Sequence, residues 1–366
     1  VTAIDLAENA TVGALMLAPQ EIRLVGTWLR PRDFSDTWLG GLYQLLRERH
    51  TARLECDPTS VGQALSASWP PHAARLPRIA DVLASVPVNP QPQAYARLVL
   101  ELGIRREARG YGVLIRAGAL ASALQRDLTP MRESAGLIRG QIEGAETRWS
   151  LAHGDVRPRP SSVEDDDARW LGILSGADRF LASQPPHTAE QVVEHERTLA
   201  ASLIIRPQAA EAAGAVVRPE WFHSREWGAV YGAVLDLSAR GRSVDPVTVS
   251  WEVQRAALVR GPGPEHRHFT SAVEAALVTD PSHALATVGA DLLRRTADAA
   301  AHSLETGVSN PGLTVPDLLH TGRVLLAATE TAGRALSGLR QPGSEALAGT
   351  LTASRALDAL HVGAAR

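Results

Sequence analysis

Lysine is missing from the sequence: the 366 residues hold 37 basic side chains and every one is arginine. A nucleotide-binding P-loop needs lysine at the end of G-x-x-x-x-G-K-[ST], so none can be formed. Schiff-base chemistry and the lysine of a protein kinase are excluded on the same ground. Cysteine is almost missing too. The single Cys56 excludes an intramolecular disulfide and any zinc site built from several cysteines. Aromatics are only 4% of the chain, with eight Trp among them. No run of 18 apolar residues occurs, and Val1-Thr2-Ala3-Ile4-Asp5 carries neither the basic nor the apolar region of a signal peptide. A cytoplasmic protein without membrane contact is therefore expected. Neither sign of charge dominates, with a formal net charge of −3, so any grip on nucleic acid would have to come from a local patch.

What the chain does have is apolar material in quantity, 45% of residues, most of it Ala, Leu and Val. That mixture favours helices over strands. At roughly 100–200 residues per domain the length fits two or three domains. Sliding the sequence over itself by 188 positions, without a gap from residue 8 to residue 65, brings identical residues together. Among them are Glu8/Glu196, Leu15/Leu203, Pro19/Pro207, Gln20/Gln208, Gly26/Gly214 and Arg30/Arg218. Pro31/Pro219, Phe34/Phe222, Gly40/Gly228, Tyr43/Tyr231, Asp57/Asp245 and Pro58/Pro246 continue the register. Farther on, Arg105-Arg106 corresponds to Arg294-Arg295 with the offset shifted by one.

Each copy reads as helices. A first helix spans Glu8 to Leu17 and a second opens at Pro19 and ends near Leu29. A third carries Trp38, Leu42, Leu45 and Leu46 to about Arg49. Asp57 and Asp245 read as N-caps, each followed by Pro at the first helical position. A fifth helix covers Ile79 to Val86. From Gln93 a long helix runs with no proline before Pro130, and its return partner extends to about Trp149 with Leu137, Ile138 and Ile142 on one side. Such a pair is a helical hairpin. The second copy repeats it from Asp291, with a turn at Asn310-Pro311-Gly312 and a return helix from Pro316 to about Leu336. No segment alternates with period two long enough to demand a sheet. The expected fold is all-α: two copies of a small helical globule followed by a long helical hairpin. Module 1 is placed at residues 1–153 (globule 8–92, hairpin 93–150) and module 2 at 191–340 (globule 191–288, hairpin 289–338). A linker with one short helix at Trp170 to Leu181 joins them over 154–190, and 341–366 reads as a flexible tail.

Chemistry-bearing residues are sparse. The acidic run Glu164 to Asp167 sits on a linker where consecutive carboxylates point apart, which suits solvent better than a metal. His266-Arg267-His268, with His223, lacks any zinc-ligand spacing and reads as a polar loop. Cys56 aligns with Val244 and reads as a small core residue, and no G-x-S-x-G is present. Trp28, Trp38, Trp221 and Trp227 read as core anchors rather than base-stacking platforms. Arg105, Arg106, Arg109, Arg116, Arg294 and Arg295 lie on the first helices of the hairpins. They suit carboxylates such as Glu101 and Glu107 and those of a partner better than phosphates, given the near-neutral charge balance. No catalytic set, metal site or cofactor site is expected.

The order Glu8, Gly13-Ala14-Leu15, Leu29-Arg30-Pro31-Arg32-Asp33-Phe34, Leu42-Tyr43, Asp57-Pro58-Thr59, Val86-Pro87, Tyr95-Ala96, Val99 and Arg105-Arg106 resembles the N-terminal domain of the bacterial replicative helicase DnaB. Residues 8–150 fit best. The second copy keeps Arg218-Pro219, Trp221-Phe222, Tyr231 and Asp245-Pro246 but loses the Asp of the Asp-Phe step and the Tyr-Ala step. In the helicase a motor domain follows the hairpin; here a second copy stands in that place. The resemblance implies a non-catalytic module that pairs subunits into a collar and docks primase. It implies self-association through the hairpins, or binding to a replicative helicase or primase. Arg105, Arg106, Leu137, Ile138, Ile142, Arg294 and Arg295 are the candidate partner interface. A DNA-binding regulator and the accessory half of a split helicase are the alternatives.

Overall fold

The computed structural model describes residues 2–70, 77–155, 166–260 and 263–337. The arginine–proline stretch at 157–162, the side chains of the acidic run at 164–167, and the tail beyond 337 lie outside the described residues. Fifteen α-helices and no strand occur among the described residues. In chain order they are α1 (Ala3–Leu17), α2 (Ile22–Val25), α3 (Thr37–Thr51), α4 (Pro58–Ser68) and α5 (Pro77–Ala84). The first hairpin is α6 (Pro92–Gln125) and α7 (Thr129–His153), followed by α8 (Asp166–Ser183). The series resumes with α9 (Ala189–Ile205), α10 (Ala210–Val216), α11 (Arg225–Ala239), α12 (Pro246–Arg260) and α13 (His266–Ala275). The second hairpin is α14 (Pro281–Ser309) and α15 (Val315–Ser337).

Local sequence explains most of these boundaries. Thr2 caps α1 through a reciprocal capping box with Asp5, and Thr188 does the same for α9 with Gln191. Asp57 accepts the Thr59 and Ser60 amides, and Asp245 accepts those of Val247 and Thr248. The helix expected from Pro19 to Leu29 is instead a 3-10 turn and one short turn of α2, ended at Gly26, which frees Trp28 and Leu29 to turn into the core. The second hairpin begins ten residues before Asp291, because Asp280 caps α14 at the Ser282 amide and Pro281 occupies the first helical position.

The chain divides into two compact units. The first comprises Val1–Tyr111, Ile138–Leu174 and Leu304–Gly322. Its globule packs α1, α3 and α4 around Leu15, Leu42, Tyr43, Leu46 and Leu65, all fully buried. Gly13 lets α5 approach closely: a Cβ there would lie 2.8 Å from the Val82 carbonyl oxygen. Both hairpins contribute to this unit. A Cβ on Gly322 of α15 would meet Ile142 of α7 at 3.5 Å, Leu304 of α14 at 3.8 Å and Tyr111 of α6 at 3.9 Å. Four helices, two from each hairpin, therefore converge at one glycine.

The second unit comprises Gly112–Leu137, Ser175–Ser303 and the described residues from Arg323 onward. Its core gathers Leu199, Leu203, Tyr231, Val234, Val249, Phe269, Leu285 and Val288. It too draws on both hairpins. A Cβ on Gly112 of α6 would stand 3.2 Å from Cα and Cβ of Ala301 on α14, and one on Gly333 of α15 would stand 3.2 Å from Leu128.

Candidate functional site

The strongest structural signature is a buried glutamate repeated in each globule. Glu8 on α1 accepts the Ser35 amide at 2.6 Å and the Asp36 amide at 3.1 Å; Glu196 on α9 accepts the His223 amide at 2.5 Å and the Ser224 amide at 2.9 Å. These satisfy amides at the start of α3 and α11, where a helix has no internal acceptors. Burial pushes the Glu196 carboxyl upward despite those amides and Arg295. In both globules a tyrosine hydroxyl donates to a buried carbonyl: Tyr43 to Leu29 at 3.2 Å and Tyr231 to Val217 at 2.9 Å. The rings stack or tilt against Phe34 and Phe222.

Arg106 and Arg295 attach the hairpins to this signature. Arg106 donates to the Asp33 carbonyl; Arg295 donates to the Trp221 carbonyl at 3.1 Å and lies 3.5 Å from Glu196. Burial lowers both guanidinium groups from their ordinary value while the neighbouring carboxylates pull the other way. Their equivalence confirms the one-residue shift read from the sequence.

Arg105, one position earlier, works differently. Its guanidinium donates to the carbonyls of Val308 (3.2 Å), Asn310 (3.2 Å) and Leu313 (2.6 Å), and Glu101 lies 3.0 Å away. Those carbonyls form the turn between α14 and α15, so a side chain of the first hairpin caps the tip of the second within the first unit. Among the remaining interface candidates, Ile138 and Ile142 are fully buried and Leu137 is half-buried. Arg294 lines a cleft with Arg116, His187, His223, Arg295 and Asp298 in the second unit, and its Nε is buried without a hydrogen-bond partner. Arg116 pairs with Asp298 at 2.8 Å.

The copies part company at residue 33. Arg148 on α7 donates to both oxygens of Asp33, at 2.8 and 2.9 Å, and to Glu107 at 2.6 Å. Arg32 lies 3.5 Å from Glu107, and all four side chains are shielded from solvent. In the second copy Trp221 stands at the position of Asp33 and packs against Leu292.

The four tryptophans Trp28, Trp38, Trp221 and Trp227 are buried, as the sequence suggests. Cys56 is buried and its thiol donates to the Leu46 and Leu54 carbonyls; burial pushes the thiol up. His266 and His268 lie on the first turn of α13 and are exposed. The histidines that do converge are others. His187, just before the cap of α9, lies with Nε2 2.9 Å from Oδ1 of Asp291 on α14, and His195 on α9 places Nδ1 2.6 Å from Oδ2. Sequence reasoning missed this set because His187 and Asp291 are far apart in sequence. The repeat holds a signal, though: Asp291 stands where the first copy has Leu102, and His195 where it has Ala7.

No helix among the described residues is long and apolar enough to cross a membrane. Compared with known families, residues 4–101 and 188–269 match the model described as the DnaB-like helicase N terminal domain. The chain thus resembles that non-motor domain in two tandem copies. No curated protein and no solved structure gives a match.

Proposed function

We propose, from a chain that carries the DnaB-like N-terminal domain twice, that it is a non-catalytic adaptor of DNA replication whose two hairpins pair within one molecule and whose remaining surface docks a replicative helicase or primase. The modules proposed are residues 1–153 and 191–340. The observation that carries the pairing is Arg105, which spends its donors on three carbonyls of the second hairpin's turn. Tethering raises the effective concentration of one hairpin for the other to roughly millimolar, so that even weak pairing stays closed. A buried guanidinium that caps a turn is also poorly placed for phosphate. Arg106 and Arg295 are likewise engaged inside their own units, which favours the docking reading over a DNA-binding one.

The deciding experiment offers the purified chain, immobilised, to purified replicative helicase and purified primase in parallel with duplex and single-stranded DNA at low salt. Saturable capture of helicase or primase is the expected result. Capture of DNA alone, falling steeply with salt, would establish the regulator instead. Capture of neither protein overturns the adaptor reading.

A further inference from the structure

We propose that His187, His195 and Asp291 form a divalent-metal site, with zinc the ion of choice. The three side chains come from separate places: the segment leading into α9, the body of α9, and α14. Their donor atoms all lie within 4.8 Å of one another. Two imidazoles and one carboxylate are a donor set that zinc accepts, with bonds of about 2.0–2.2 Å. A tetrahedral ion with such bonds spaces its donors about 3.3 Å apart. The nitrogen–oxygen separations of 2.9 and 2.6 Å, which run to Oδ1 and Oδ2 of the carboxylate, therefore need to widen by about 0.4 and 0.7 Å on binding. Each imidazole would bind as the neutral ligand, with Nε2 of His187 and Nδ1 of His195 facing the ion and the ring proton on the other nitrogen. The histidine side chains keep 24% and 35% of their exposure, so the ion can enter and hold water at its fourth position.

Asp291 is 4% exposed, and a buried carboxylate without compensation is costly. The two histidines, 2.9 and 2.6 Å from its oxygens, supply that compensation. At the aligned positions the first copy carries Leu102 and Ala7, so the repeat itself does not call for an aspartate or a histidine there. Two imidazoles and a carboxylate gathered within 4.8 Å, two of them at positions that the first copy fills with Ala and Leu, fit ion binding. Glu196 and Asp298 offset the positive charge of Arg295 and Arg116 nearby. A bound ion would fasten the start of the second module to the base of its hairpin. The site is independent of the adaptor reading and stands or falls separately.

Zinc content is measured on the full chain after equilibrium dialysis against micromolar zinc, and cobalt(II) is titrated in as a spectroscopic probe. One zinc per chain is expected, with affinity at least about tenfold weaker in His195→Ala and in Asp291→Asn. The double variant His266→Ala/His268→Ala should bind like the unaltered chain. Cobalt should give saturable visible bands of a low-symmetry site holding nitrogen and oxygen donors. Non-saturable uptake, unchanged affinity in His195→Ala, or equal loss in the His266/His268 variant overturns the site. Should His195→Ala unfold, the cobalt titration of the unaltered chain decides: no bands, no site.

Discussion

Arg148 touches two buried carboxylates at once, and its removal strands both. Arg148→Ala is expected to cost about 3–5 kcal/mol in the first module, read by hydrogen exchange in α3 and α7, with α11 and α13 unaffected. Tyr43→Phe and Tyr231→Phe each remove one buried hydrogen bond of the same kind and should cost about 1 kcal/mol apiece in their own modules. A cost confined to one of the two would contradict their equivalence. Arg53 adopts φ +57° where the second copy has Gly241 at φ +63°. Only the glycine takes that left-handed conformation without strain, so Arg53→Gly should stabilise the first module by about 1 kcal/mol. Glu196 is raised by burial from an ordinary 4.5. The folded state then holds its proton longer than the unfolded chain, so this contribution is fully present below 4.5 and is lost as pH rises through the folded value. The difference in stability between the unaltered chain and Glu196→Gln should change across that window, and a flat difference would refute it. Identities such as Glu8/Glu196 and Tyr43/Tyr231 were legible in the sequence as matches. Their chemistry was not, since which amide a carboxylate accepts depends on loops that periodicity does not describe.

At the scale of elements, the hairpins carry the risk and the interest. Their first helices are about 51 and 44 Å long at 1.5 Å per residue, and a two-helix unit of that length has little core of its own. Gly112 sits against Ala301, so Gly112→Leu should force α6 and α14 apart and speed exchange in both, whereas Gly136→Leu, with open space around its Cα, should not. Arg105→Ala should loosen the turn between α14 and α15, with faster exchange at residues 304–322 and the globule of the first module unchanged. The existence and order of the helices followed from proline, aspartate caps and apolar spacing. α14 starts ten residues ahead of the expected Asp291 because Asp280-Pro281 has the same cap-and-proline form as Asp57-Pro58. Association of the hairpins is what the resemblance implies; which residues meet was not legible, because Gly112, Gly322 and Gly333 look like ordinary helix-weakening glycines until a partner helix is placed beside them.

For the molecule as a whole, tethered pairing makes a prediction about concentration. Proximity of the two hairpins, measured by energy transfer between labels on α7 and α15, should be independent of dilution down to nanomolar chain. A signal that decays on dilution would mean pairing between chains. The purified chain should not hydrolyse nucleotide, since it has no lysine for a P-loop.

Among the described residues, the contact that Arg105 makes with the tip of the second hairpin is not repeated by its counterpart Arg294, whose Nε lies unpartnered in a cleft. Two identical subunits meeting about a twofold axis must accept every substitution on both sides simultaneously. Joined end to end in one gene, the halves escape that rule, and each face can drift to suit a single neighbour. The exchange of Asp33 for Trp221, and the arrival of histidines and an aspartate on one side only, are what such release from symmetry permits.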